Sequence, residues 1–180
     1  MVFHINGVKV RIQFSFFLIV SFALLFQYEN IAYVLLFSAL HELGHLVLLL
    51  VFRGHPKEIV IAFYGIGLKH NETLEPDQEI IFLLGGVAVN AIFCALNIHR
   101  EINLPLLLMN ALPLYPLDGG RALKVFLNQI LEFSVSDRVF KAITVIFMIL
   151  LSLIAVYLKN LSLVLITLYL FFYSVNNTYD

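Results

Sequence analysis

Long apolar runs recur along this chain, each close to the length that carries a helix through a lipid bilayer. A helix rising about 1.5 Å per residue needs roughly 20 apolar residues to cross a hydrocarbon core about 30 Å thick. No water reaches the backbone N–H and C=O groups inside that core, so only helices and closed barrels can span it. Six runs qualify, at residues 12–27, 31–53, 79–98, 102–128, 138–158 and 161–176. The fourth is interrupted by Pro113, Pro116, Gly119 and Gly120, and the sixth is short. Of 180 residues 61% are hydrophobic, against roughly 45–50% in soluble domains, so the runs dominate the chain. The expected fold is an all-α membrane protein of about six transmembrane helices with a broken fourth helix, and the expected organisation is a single domain over 1–180 with no module inserted or appended.

Basic residues set the expected orientation. With six spans, Lys9, Arg11, Arg53, Lys57, Lys69, Arg121, Lys124, Arg138 and Lys141 fall on one side, and only Arg100 and Lys159 on the other. Cytoplasmic loops hold the excess of Lys and Arg, which predicts a multi-pass protein of the cell membrane with both termini in the cytoplasm. The first run follows Lys9 and Arg11 and contains Ser21-Phe22-Ala23, the outline of a cleavable leader; because every later run is also membrane-like, it reads as a span. Eleven basic residues against 12 acidic ones form no basic field, and nucleic acid is not an expected partner. A single cysteine, Cys94, excludes a disulfide framework and a CxxC metal pair.

The longest connection, 54–78, contains "KEIVIAFYGIGLKH", which is β-branched and aromatic with interspersed glycine. That composition favours a short membrane-associated extended or hairpin element over residues 57–70. Composition alone leaves open whether it is an interfacial loop or a strand whose edge, near Ile59 to Phe63, receives an extended peptide.

Against this apolar background, "LLFSALHELGHLVLLLVF" places His41, Glu42 and His45 in the second run. A charged group at the centre of a bilayer costs about 2.5 to 3.5 kcal/mol on insertion scales. Three ionisable residues within five positions therefore demand a compensating partner. Residues i and i+4 of a helix share a face, so the two imidazoles can grip one metal ion. HExxH is the zincin pattern, in which the glutamate takes a proton from the water that zinc activates. The alternative without a metal is a buried hydrogen-bonded cluster. A catalytic zinc usually has three protein ligands, and most acids here lie near the ends of runs. Asp118 is the exception, inside "LPLLLMNALPLYPLDGGRALKVF", where proline and glycine should unwind the helix. Irregular backbone at membrane depth is tolerated only where it is buried in protein or lines a wet cavity.

HELGH in the second run, "GGVAVN" at Gly85 to Asn90 and "NALPLYPLDGGR" at Asn110 to Arg121 resemble the motifs of the site-2 protease family of intramembrane zinc metalloproteases, in the same order. The six-span layout and short amino terminus look most like the branch that processes a sporulation sigma-factor precursor. The resemblance implies that His41, His45 and Asp118 bind one Zn2+ per chain and that Glu42 is the general base. It implies further that Asn90 lies near the catalytic centre, where its amide could donate to an oxyanion or hold substrate. It also implies a membrane protein or membrane-associated precursor as substrate, cut in contact with the lipid bilayer, with room for a regulatory membrane protein. Val87 departs from the family pattern, which usually has proline there. Two rivals remain at this point: a metal-binding membrane transporter or scaffold, and a zincin protease whose third ligand is a distant glutamate.

Overall fold

A computed structural model of the protein describes residues 2–5, 8–13, 31–62, 65–70 and 74–176. These residues form four strands, β1 (Val2–Ile5), β2 (Val8–Ile12), β3 (Pro56–Ala62) and β4 (Gly65–His70), and six helices: α1 (Ile31–Val51), α2 (Pro76–Ala95), α3 (Arg100–Ala111), α4 (Asp118–Ile130), α5 (Phe133–Tyr157) and α6 (Leu161–Asn176). The protein is mostly helical, and α1, α2 and α5 are long and apolar enough to cross a membrane. All but the first two residues of the expected first span lie outside the described residues. The expected fourth span is two helices, α3 and α4, with 112–117 between them, and α6 has 16 residues. The chain divides into two compact units, Met1–Leu107 and Leu108–Asp180.

In the first unit the sheet order is β1-β2-β3-β4. The outer pairs are antiparallel, whereas β2 and β3 run parallel, with Lys9 opposite Glu58 and Ile12 opposite Ile61. A parallel pair needs a long crossover, and here the connection contains α1. The expectation of an all-α protein with one short β element is therefore corrected: the element at 57–70 has become half of a four-stranded sheet, completed by strands at residues 2–12. Arg11 Nε lies 3.0 Å and Lys9 Nζ 3.8 Å from Glu58 Oε1, across the parallel pair. Of the two readings left open for Ile59 to Phe63, a loop and a peptide-accepting edge, the structure has neither over residues 59–62. β3 has neighbours on both sides, so its backbone groups are already used, and Phe63 lies outside the described residues. Among the described residues β4 pairs only with β3 and is an outer edge.

The helices α1 and α2 meet through glycine. A Cβ on Gly44 would lie 2.7 Å from both the Gly85 carbonyl oxygen and Val89 Cγ2. Lipid gives helices no hydrophobic reason to associate, and close backbone approach at small residues supplies the packing instead. Leu49 and Leu83 are fully buried, and the Phe37 and Phe93 rings meet edge to face at 5.2 Å. Pro76 opens α2, where its missing N–H costs nothing. The helix leads into a turn with Asn97 and His99 at positive φ, 56° and 40°. Non-glycine residues persist there only when held. His99 stacks on Tyr33 at 4.4 Å, its Nδ1 sits 3.2 Å from Glu101 Oε1, and the Asn103 amide donates to the carbonyls of Ile98 and His99. Backbone hydrogen bonding, and then the His99 side chain, hold the Glu101 carboxyl below the usual carboxylate range.

In the second unit the break at 112–117 contains a cis Tyr115–Pro116 bond and the fully buried Leu114. Pro113 and Pro116 have no amide hydrogen to continue a helix. A Cβ on Gly119 would strike the Ala111 and Leu112 carbonyls, and one on Gly120 the backbone of Leu114 and Tyr115, so the start of α4 packs directly under the break. α4 then binds α5 by polar contacts: Lys124 Nζ to Asp137 Oδ1 at 3.2 Å, and Ser136 Oγ donating to Asn128 Oδ1 at 2.5 Å. Lys141 closes the same network at 2.7 Å from Asp137 Oδ2.

Candidate active site

The spacing of α1 puts Phe37, His41, His45 and Leu49 on its buried stripe, and both imidazoles are buried. His45 Nδ1 donates to the Phe82 carbonyl of α2 at 2.7 Å. A carbonyl only accepts, so Nδ1 carries a proton, and in the neutral ring Nε2 is then the free acceptor nitrogen. This Nε2 lies 3.2 Å from His41 Nε2, with the rings nearly perpendicular at 79°. Glu42 is about 100° further round the helix and half-buried. Its carboxylate and the two imidazoles offer ligand atoms within 4.8 Å of one another.

The wall facing this group is Gly86 of α2. A Cβ there would lie 2.5 Å from His41 Cε1, from His41 Nε2 and from His45 Nε2. One turn along the same face of α2 is Asn90, completely buried, and neither atom of its amide has a hydrogen-bond partner among the described residues. Unpartnered buried amides are rare because their desolvation goes uncompensated.

Of the residues singled out in the sequence, His41, Glu42 and His45 come together, with Asn90 on the helix packed against them. Asp118 belongs to the second unit, as the half-buried first residue of α4. The sequence reading missed Gly86 and Phe82. The Gly85-Gly86 doublet and its four-residue spacing to Asn90 carried a signal for the first. Phe82 acts through its backbone carbonyl, which no side-chain pattern announces.

Residues 87–154 match the model of peptidase family M50, a stretch that contains Asn90 and Asp118 and begins just beyond Gly86. The fold resembles that of the site-2 protease from Methanocaldococcus jannaschii, with a TM-score of 0.67 and 19% identity, covering 100% of this chain and 95% of that one. Over that stretch the chain is similar to M50 peptidases, and its fold is similar to that of a site-2 protease. The HELGH segment lies outside the matched family stretch, so the histidine pair is an observation separate from the match. No curated protein matches the sequence significantly.

Proposed function

We propose that this chain is an intramembrane metalloprotease that hydrolyses peptide bonds of membrane-embedded or membrane-associated precursor proteins with one zinc ion held by His41, His45 and Asp118. The observation that carries this reading is the nitrogen pair. Two nitrogens bound at about 2.0–2.1 Å to one tetrahedral ion stand about 3.3 Å apart, and the two Nε2 atoms lie 3.2 Å apart. The Phe82 carbonyl fixes the His45 tautomer as an outer-shell partner does in metal sites. A zinc ion here would polarise the scissile carbonyl and make a water nucleophilic near neutral pH. Glu42 takes the proton of that water and hands it to the leaving amine. Asn90 donates from its amide nitrogen to the oxygen of the scissile carbonyl as charge builds there. Asp118 adds a carboxylate from the first turn of α4, where backbone N–H groups favour an anion.

A substrate helix hides its carbonyls in its own hydrogen bonds, and the β4 edge offers backbone groups that replace them on unwinding. β2 and β3 are hydrogen-bonded, so they share one side of the bilayer and an even number of crossings separates them. α1 supplies one, and the apolar run at 12–27 is the natural source of the other. The pairing is compatible with six spans in the cell membrane, and the excess of Lys and Arg on one side supports cytoplasmic termini. The six-span layout favours the branch that processes a sporulation sigma-factor precursor, under the control of a regulatory membrane protein.

The test is zinc content and cleavage of single-span substrates on the same preparations. Glu42→Gln should keep about one zinc and lose cleavage, and Asp118→Asn should lose both. Full zinc in Asp118→Asn would point to the distant-glutamate scheme. Metal flux without peptidase activity in the parent would point to a transporter.

A further inference from the structure

We infer that Gly86 is a positioning residue that keeps the space beside the two histidine nitrogens clear for the metal, and that Gly44 serves helix packing instead. The inference rests on the zinc reading above. Both glycines lie at the crossing of α1 and α2, yet a side chain at each would meet different obstacles. At Gly44 the nearest atoms include the Gly85 carbonyl oxygen at 2.7 Å, which belongs to the backbone of the other helix. Backbone cannot swing aside, so the two helices would have to part. At Gly86 the three nearest atoms, each at 2.5 Å, all belong to the His41 and His45 rings.

Those rings can turn, at the expense of the arrangement a metal needs. A carbon 2.5 Å from both Nε2 atoms intrudes on any ion that must approach both nitrogens to about 2.0–2.1 Å. Turning the His45 ring away would also break its bond to Phe82, which fixes its tautomer. The helix pair can therefore survive a methyl at residue 86, and the ligand pair cannot. Gly86 touches no substrate in this account; it acts through the imidazoles.

The experiment compares the full-length parent, Gly86→Ala and Gly44→Ala in detergent, each stripped of metal. Melting of the metal-free protein, zinc binding by titration and the absorption of bound Co2+ are measured for each. Gly86→Ala should melt within a few degrees of the parent and lose zinc affinity on the order of 100-fold or more, with an altered Co2+ spectrum. In a His41→Ala background, Gly86→Ala should add little further loss, because the pair of ligand nitrogens it disturbs is already broken. Gly44→Ala should lower the metal-free melting temperature. Parental zinc affinity and Co2+ spectrum in Gly86→Ala would overturn the inference, as would a melting loss as large as that of Gly44→Ala. A parent chain without stoichiometric zinc would bring down the zinc reading itself, which separates the two failures.

Discussion

Asn90→Leu should make the protein more stable and less active. The side chain has no exposure, and both of its polar atoms lack partners among the described residues. A buried amide left in that state costs about 1–3 kcal/mol on mutational scales. Leucine has the same branching at the γ position and no polar atoms, so the substitution should recover most of that cost, less any strain from its larger methyl groups. For a chain of this size about 1 kcal/mol shifts the melting temperature by roughly 2–4 °C, which gives an expected rise of about 2–10 °C in the metal-free protein. Removing one oxyanion donor typically lowers kcat by about 100- to 1000-fold, and zinc should remain near one equivalent. Thermal melts, zinc titration and cleavage of a single-span substrate read all three quantities. If Asn90→Leu melts below the parent and cleaves at the parental rate, the residue is a packing element and its assignment to the oxyanion is wrong.

A proline scan across Gly65–His70 should weaken cleavage at positions whose N–H points away from β3, with zinc unchanged, because proline removes the backbone donor offered to substrate; parental cleavage at every position would remove β4 from substrate binding. A reporter fused after Asp180 should be active only in the cytoplasm, and activity on the far side of the membrane would refute the six-span topology.

How much was legible depended on the kind of signal. The apolar runs predicted α1, α2, α5 and α6 to within a few residues, because in lipid composition alone decides that a segment is helical. The break around 112–117 followed from Pro113 and Pro116, whose missing donors act locally. The two β1–β2 strands did not. "VFHI" and "VKVRI" alternate around Asn6-Gly7, a strong hairpin signal, but Lys9 and Arg11 fit the basic flank of a span equally well. The partner of β2 is some 50 residues away, a pairing no local window contains. The site divided in the same way. His41, Glu42 and His45 stood out because ionisable groups are costly in that setting, whereas Gly86 matters for an atom it lacks and Phe82 for an atom every residue has.

The parallel pairing of β2 with β3 has a consequence for synthesis. Lys9 pairs with Glu58, so the amino-terminal hairpin emerges well before the strand that completes it. At about 5–20 residues per second the delay is roughly 2–10 s, during which β2 carries an unpaired edge of the sort that invites wrong partners. The intervening stretch contains the helix with the histidine pair, and that helix must enter the bilayer before β3 can reach β2. On the topology proposed above, closure of the sheet would report that α1 has been inserted with its two ends on opposite sides. A helix that failed to cross would leave β3 on the wrong side of the membrane, with a visible defect for quality-control proteases to act on before any metal is loaded.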